Sequence, residues 1–165
     1  MNRWIVTLTL FALAGSAAAQ LPPKKIEIEK VAEGIYVLFG SGGNIGVSVG
    51  PDGLVLIDDK FTRIAPKVEA ALKGISKLPV RFVLNTHFHG DHTGGNIYWG
   101  KKATVIAHAN TRKRLLEDKE PVPPSALPII TFEDKIKVHL NGEDIRAIHF
   151  PAGHTDTDVV VFFTK

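Results

Sequence analysis

Cysteine is absent from the 165 residues of this chain. No disulfide can form, and no thiolate can act as a nucleophile or a metal ligand, so any bound metal must be held by nitrogen and oxygen atoms. The chain also lacks a large excess of one charge, because 17 Asp and Glu residues nearly balance 20 Lys and Arg residues and leave a formal net charge of +3. The basic residues are scattered and do not cluster with aromatic residues, which argues against a nucleic-acid partner.

A long hydrophobic run is lacking too, but a short one opens the chain. Asn2-Arg3 precedes an apolar run from Trp4 to Gly15, and Ala17-x-Ala19 offers a small-residue cleavage site. The run is too short to span a bilayer comfortably. We predict a signal peptide over residues 1–19, export to the periplasm or medium, and no stable membrane anchor after cleavage. An uncleaved anchor is the less favoured alternative.

Residues 20–165 have the length of a single domain, and the hydrophobic content of 44% is typical of a globular chain. Alternating and short apolar runs predict strands, and two stretches at helical spacing predict helices. The predicted strands are 26–31, 35–39, 45–49, 54–57, 80–84, 104–107, 129–132, 136–140, 145–150 and 158–163, and the predicted helices are 64–75 and 110–118. Four prolines between Pro121 and Pro128 predict a rigid connector. This order of elements indicates an α/β sandwich with a site at one edge of the sheet.

The densest group of metal-binding side chains follows predicted strand 80–84, in Thr86-His87-Phe88-His89-Gly90-Asp91-His92. A spacing of two at the end of an extended segment points both imidazoles of His87 and His89 to one side. Gly90 permits a bend that returns Asp91 and His92 toward the same point. Imidazole and carboxylate ligands suit zinc, and also iron, manganese or nickel. A solvated histidine-rich loop without metal is the less favoured interpretation.

A hydrolytic zinc site typically has three protein ligands and one open position. His154 is the candidate for the third nitrogen ligand. It lies in Pro151-Ala152-Gly153-His154-Thr155-Asp156, a loop between predicted strands 145–150 and 158–163. Two strand-end loops on one edge of a sheet can converge, which would bring three imidazoles together.

Three segments, in this order and at this approximate spacing, resemble the metallo-β-lactamase superfamily. They are Leu54-Val55-Leu56-Ile57-Asp58, the motif from His87 to His92, and Gly153-His154-Thr155. The resemblance covers nearly all of the chain after the predicted signal peptide. It implies a four-layer αββα sandwich. Members of this superfamily also have a later Asp that bridges two metal ions and a last His. We expect both beyond Lys165, so that the second half of the sandwich is incomplete, as in a C-terminally truncated chain.

The resemblance also implies a role for each residue of the site. His87, His89 and His154 would bind the first metal ion. Asp91 and His92 would bind the second, and Asp91 would act in catalysis by orienting the attacking water. Asp58 would be a supporting carboxylate beneath the loop.

By the same resemblance, the chain is expected to be a metal-dependent hydrolase that holds one or two zinc ions, with iron or manganese as other possible metals. Metal-bound hydroxide would attack the carbonyl or phosphoryl centre of a small ester, amide or lactam-type substrate. Two alternatives are a mononuclear-iron thiol or sulfur oxygenase on the same fold, and an inactive metal-binding fragment. A (βα)₈ amidohydrolase also begins with His-x-His, but its barrel needs about 250 residues and strict βα alternation.

Several acidic residues near these motifs have less specific interpretations. Asp59 competes with Asp58 for the supporting role, but Asp58 directly ends the apolar run. Asp156 and Asp158 are more consistent with caps for backbone N–H groups after His154 than with metal ligands.

Three of the seven histidines lie outside the motif and its partner loop. We predict His108 to be a partly exposed residue with no ligand role, and His139 to be on the surface. His149 shares a face with core residues and is predicted to be packed; a role in supporting the site is the less favoured alternative. The glycine-rich segment Gly40-Ser41-Gly42-Gly43-Asn44, here called loop 40–44, is either a flap over the site or a plain hairpin loop.

Overall fold

The structure is a computed structural model that describes residues 25–151 and 153–164. The predicted signal peptide, residues 1–19, lies outside the described residues. The described chain forms a seven-stranded mixed sheet and a three-stranded antiparallel sheet. This confirms the mixed α/β sandwich. No helix in the described ranges is long and apolar enough to cross a membrane.

The strands, in chain order, are β1 Glu27–Ala32, β2 Ile35–Phe39, β3 Ile45–Gly50, β4 Gly53–Ile57, β5 Val80–Leu84, β6 Thr104–His108, β7 Ile130–Phe132, β8 Lys135–Leu140, β9 Glu143–His149 and β10 Val159–Phe162. The helices are α1 Ala65–Ile75, α2 Gly90–Thr93, α3 Asn96–Trp99 and α4 Ala109–Leu116, with 3₁₀ turns at Thr62–Ile64 and Pro124–Ala126. The two predicted helices correspond to α1 and α4.

The histidine motif, for which no helix is predicted from the sequence, is partly helical. The motif contains the short helix α2, and α3 follows directly. The carbonyl oxygen of His89 accepts hydrogen bonds from the backbone N–H groups of His92 and Thr93, at 2.9 and 3.0 Å. A helix of four residues is too short to produce a periodic apolar pattern, so the sequence carries little signal for it.

The order of strands in the large sheet places the site. Strands β1 to β4 pair antiparallel in sequence order, and β4, β5, β6 and β7 then pair in parallel. The carboxyl ends of parallel strands lie at the same edge of a sheet. Residues that directly follow β4 and β5 therefore meet at one edge, and these residues include Asp58 and the histidine motif.

Two hydrophobic clusters hold the layers together. One lies between α1 and the large sheet and contains Leu56, Val68 and Trp99, which are each at most 1% exposed. The other lies between the two sheets and contains Val55 of β4 with Ile145 and Ala147 of β9. Strand β4 is buried along its whole length, as expected for a central strand covered on both faces.

The three-stranded sheet is covered on one face only, within the described residues. Its strand order is β10-β9-β8, and the outward-facing side chains Val160 and Phe162 are 43% and 45% exposed. The small sheet thus has three strands, against seven in the large sheet.

A pair of turns joins the two sheets at the end remote from the histidine motif. Asn141 and Gly142, between β8 and β9, both have positive φ, as a tight hairpin requires. The side-chain oxygen of Asn141 accepts a hydrogen bond from the backbone N–H of Asp52 at 3.0 Å, and the Asn141 N–H donates to the Asp52 carboxylate at 2.8 Å. The side-chain amide of Asn141 also donates to the carbonyl of Gly53 at 3.0 Å.

Candidate metal centre

Three histidines from two separate loops converge at the edge described above. His87 and His89 follow β5 in the large sheet, and His154 lies between β9 and β10 of the small sheet. One ligand nitrogen from each ring lies within 4.8 Å of the other two. The structure therefore brings the two loops together as the sequence predicts.

The three rings fit a divalent metal ion. Nε2 of His154 lies 3.1 Å from Nδ1 of His89. Tetrahedral zinc with Zn–N bonds of about 2.0–2.1 Å needs nitrogens about 3.3 Å apart, so this pair is close to the required separation. Burial, together with the neighbouring His92 ring, lowers the pKa of His87 and favours the neutral imidazole that a metal needs. His154 is exposed, which leaves one side of the group open to solvent.

Asp58 lies beneath the motif and contacts it through its carboxylate. It directly follows β4 with φ of 63° and is buried. Its carboxylate accepts hydrogen bonds from the backbone N–H and the hydroxyl of Thr86 and pairs with Nδ1 of His92, each at 2.7 Å. The hydrogen bond to Asp58 raises the pKa of His92. It also fixes the ring and leaves Nε2 for another partner.

Asp91 and His92 lie beside the three-histidine group. The ring centroids of His92 and His87 are 4.0 Å apart. Nε2 of His92 lies 3.5 Å from Oδ2 of Asp91. Among the described residues, the group of donors within 4.8 Å of one another contains only His87, His89 and His154. The roles of Asp91 and His92 as ligands of a second ion stay a prediction.

Loop 40–44 forms one wall of the site. The backbone N–H of Gly43 donates to Oδ2 of Asp91 at 3.1 Å. A Cβ atom placed on Gly43 would lie 2.5 Å from Cε1 of His92, and one on Gly42 would lie 3.0 Å from Cβ of Asp91. Only glycine lets the backbone approach these two side chains so closely.

The loop that carries His154 is held from two directions. Asp158 accepts hydrogen bonds from the backbone N–H groups of His154 and Thr155, which confirms its predicted capping role. Asp156 differs from the prediction, because its carboxylate pairs with Nε and Nη2 of Arg114 in α4, at 3.2 and 3.0 Å. The side-chain amide of Asn110, also in α4, donates to the carbonyl of Asp156 at 3.0 Å.

The predicted partial exposure of His108 is wrong. Its side chain is 2% exposed, and its ring stacks on that of His149 with centroids 3.6 Å apart. Nδ1 of His108 accepts a hydrogen bond from the backbone N–H of Asn110 and caps the N-terminus of α4. The position of His108 two residues before predicted helix 110–118 was the available signal for this role. His139 is exposed, as predicted, and lies 2.6 Å from Asp144.

The full burial of the two residues after Asp58 was not predicted from the sequence. Asp59 and Lys60 are both 0% exposed, and their side-chain polar atoms have no hydrogen-bond partner among the described residues. Burial and the neighbouring Asp58 raise the pKa of Asp59 well above its usual value. Charged side chains are rarely buried unless paired, so their burial was not expected. Their position just after a predicted buried strand was the only signal for it.

Two packed sheets with a histidine cluster at the carboxyl ends of parallel strands define an α/β sandwich with a candidate metal centre. The chain matches the metallo-beta-lactamase superfamily over residues 38–165, and it belongs to that family.

Solved structures with this fold include three β-lactamases. A metallo-β-lactamase with a HARLDQ motif from Cronobacter sakazakii is 21% identical to this chain, with a TM-score of 0.75. The match covers 86% of this chain and 55% of the Cronobacter chain. Native FEZ-1 from Legionella gormanii is 18% identical, with a TM-score of 0.74, and the match covers 87% of this chain and 60% of the FEZ-1 chain. The class B3 di-zinc metallo-β-lactamase LRA-12 from an Alaskan soil metagenome is 16% identical, with a TM-score of 0.74, and the match covers 85% of this chain and 58% of the LRA-12 chain. This chain therefore spans 55–60% of the length of these structures.

Proposed function

We propose that the chain is a metal-dependent hydrolase of small molecules. The observation that carries this proposal is the convergence of His87, His89 and His154, whose ligand nitrogens lie within 4.8 Å of one another. Membership of the metallo-beta-lactamase superfamily supports it. Zinc is the favoured ion because three imidazoles and an open position are its common arrangement in hydrolytic sites.

The residues around the three histidines suit hydrolysis. A zinc ion held there supplies Lewis acidity and makes water a better nucleophile at neutral pH. Asp91, with its side chain 38% exposed, is available to hold a water molecule and to accept its proton. Asp58 keeps the ring of His92 in one orientation, and the N–H of Gly43 holds the Asp91 carboxylate.

The proposed substrate has a carbonyl or phosphoryl centre, as in an ester, amide, lactam or lactone. The exposed position of His154 lets such a group reach the histidines from solvent. We also propose that the protein acts after export, because residues 1–19 have the pattern of a signal peptide.

Metal analysis and hydrolysis assays of the wild type and His87→Ala test the proposal. We expect stoichiometric zinc in the wild type and turnover of at least one probe among nitrocefin, a lactone and a phosphodiester. His87→Ala should bind zinc at least about 100-fold more weakly, because even residues that only support a ligand change affinity by about 10- to 100-fold. His139→Ala, which removes an exposed histidine outside the site, is the matched control.

Equal rates for the wild type and His87→Ala would contradict hydrolysis at this site. Stoichiometric iron in anaerobically purified protein would favour the sulfur oxygenase instead.

A further inference from the structure

Lys60 is a buried cation next to the candidate metal centre. It lies two residues after Asp58, with φ of 60°, and its side chain is 0% exposed. Its Nζ has no hydrogen-bond partner in the described part of the chain. A buried amine without a partner is unfavourable for stability, so the packing of the fold alone does not explain this residue.

The amine lies behind the wall formed by loop 40–44. A Cβ atom built on Gly40 would be 3.8 Å from Cε and 4.0 Å from Nζ of Lys60. Two and three residues further along the same loop, Gly42 and Gly43 contact Asp91 and His92. Loop 40–44 therefore lies against the Lys60 side chain at its first residue and against Asp91 and His92 near its last residues.

The charges in this region connect Lys60 to the side of the site where Asp91 and His92 lie. Burial lowers the pKa of Lys60, while the carboxylates of Asp91 and Asp58 act in the opposite direction. The segment that carries Lys60 also packs against His92, because the backbone N–H of Asp59 donates to the carbonyl of His92 at 3.0 Å and the Asp58 carboxylate pairs with Nδ1 of His92 at 2.7 Å.

We propose that the buried amine of Lys60 restricts this site to one metal ion. A second cation bound by Asp91 and His92 would share the electrostatic attraction of the Asp91 and Asp58 carboxylates with a buried positive charge behind loop 40–44. The ion held by His87, His89 and His154 needs only neutral imidazole ligands and shares no carboxylate with Lys60. Lys60 cannot contact a substrate directly, because it is fully buried. The inference depends on the proposed metal site.

Counting bound ions in Lys60→Met tests the proposal. Methionine has a similar length and no amine to bury, so the variant should stay folded. Lys67→Met, which removes an exposed lysine of α1, is the matched control. Zinc content after dialysis and calorimetric zinc titration should give one ion for the wild type and for Lys67→Met. Lys60→Met should bind a second ion at least about tenfold more tightly than the wild type does, because a close like charge is removed.

The double variant Lys60→Met/Asp91→Asn locates that second ion. It should bind one ion again, because the carboxylate that holds the second is gone. Lys60→Gln provides the same comparison if Lys60→Met does not fold.

The measurements distinguish failure of the proposed role of Lys60 from failure of the proposed metal centre. Two tightly bound ions in the wild type, or one ion in both folded Lys60 variants, would overturn the role of Lys60 and leave the metal centre intact. No bound ion in the wild type would overturn the metal centre and, with it, this inference.

Discussion

A histidine that caps a helix makes stability depend on pH. Nδ1 of His108 accepts the backbone N–H of Asn110, so this nitrogen must be unprotonated in the native state. Burial lowers the pKa of His108, and the stacked ring of His149 adds to the effect. The native state therefore binds this proton more weakly than the unfolded chain does.

We expect His108→Asn to weaken the pH dependence of the metal-free protein. The native pKa of His108 lies below the unfolded value of about 6.5, so its contribution is complete above that pH and decreases as the pH falls toward the native pKa. Asparagine is a favoured N-cap that does not titrate. Thermal unfolding with a chelator between pH 7.5 and 5.5 should show a smaller decrease in Tm for the variant. Parallel pH profiles would contradict this role, and His139→Asn is the exposed control.

At the scale of residues, the sequence predicts the three clustered histidines better than it predicts their neighbours. His87, His89 and His154 stand out because they follow strands in loops of small residues. Lys60 does not, because a lysine next to a predicted strand is normally assigned to the surface. The burial of Lys60 depends on loop 40–44, whose path no local pattern predicts.

At the scale of elements, helix α4 holds the loop that carries His154. Arg114 and Asn110 of α4 bind the carboxylate and the carbonyl of Asp156, two residues after His154. Both side chains of the Arg114–Asp156 ion pair are nearly half exposed, at 47% and 45%. The pair therefore contributes little to global stability, about 0–1 kcal/mol. Its main effect is on the position of the loop.

We expect Arg114→Gln to lower zinc affinity by about tenfold, as removal of a group that supports a ligand does. The free energy of unfolding of the metal-free protein should change by less than about 1 kcal/mol. Calorimetric titration and chemical denaturation measure the two quantities. Lys113→Gln is the matched control, because Lys113 lies on the same helix and pairs with Glu117 at 4.0 Å. Equal zinc affinity of the two variants would contradict the role of Arg114.

Strands and long helices were predictable because their apolar periodicity extends over whole elements. Helix α1 and strands β2 and β5 have the predicted bounds to within one residue. The short helices α2 and α3 and the 3₁₀ turn at Pro124–Ala126 were missed, since they depend on tertiary contacts instead of on a repeating pattern.

At the scale of the whole molecule, the candidate metal centre joins the two sheets. His87 and His89 belong to a loop of the large sheet, and His154 to a loop of the small one. At the opposite end, Asp52 and Asn141 join the same two sheets through their turns. Bound metal would therefore add a second link between the two halves of the core.

We expect a chelator to lower the Tm of the zinc-loaded protein by roughly 5–10 °C. Free zinc at 100 times its dissociation constant stabilises the native state by about 2.7 kcal/mol. The Tm of a domain of this size changes by roughly 2–4 °C for each kcal/mol of change in the free energy of unfolding. Differential scanning calorimetry with and without chelator measures the change. His154→Ala should show almost no difference between the two conditions, and an equal shift in that variant would show that zinc acts elsewhere.

The missing side chain at position 43 has a consequence for evolution. Any larger residue there would occupy the place of the His92 ring, because its Cβ would lie 2.5 Å from that ring. Substitutions at the two positions are therefore not independent. Among homologues, a glycine at 43 should accompany an imidazole at 92, and variation at 43 should be found where a smaller residue has replaced that histidine.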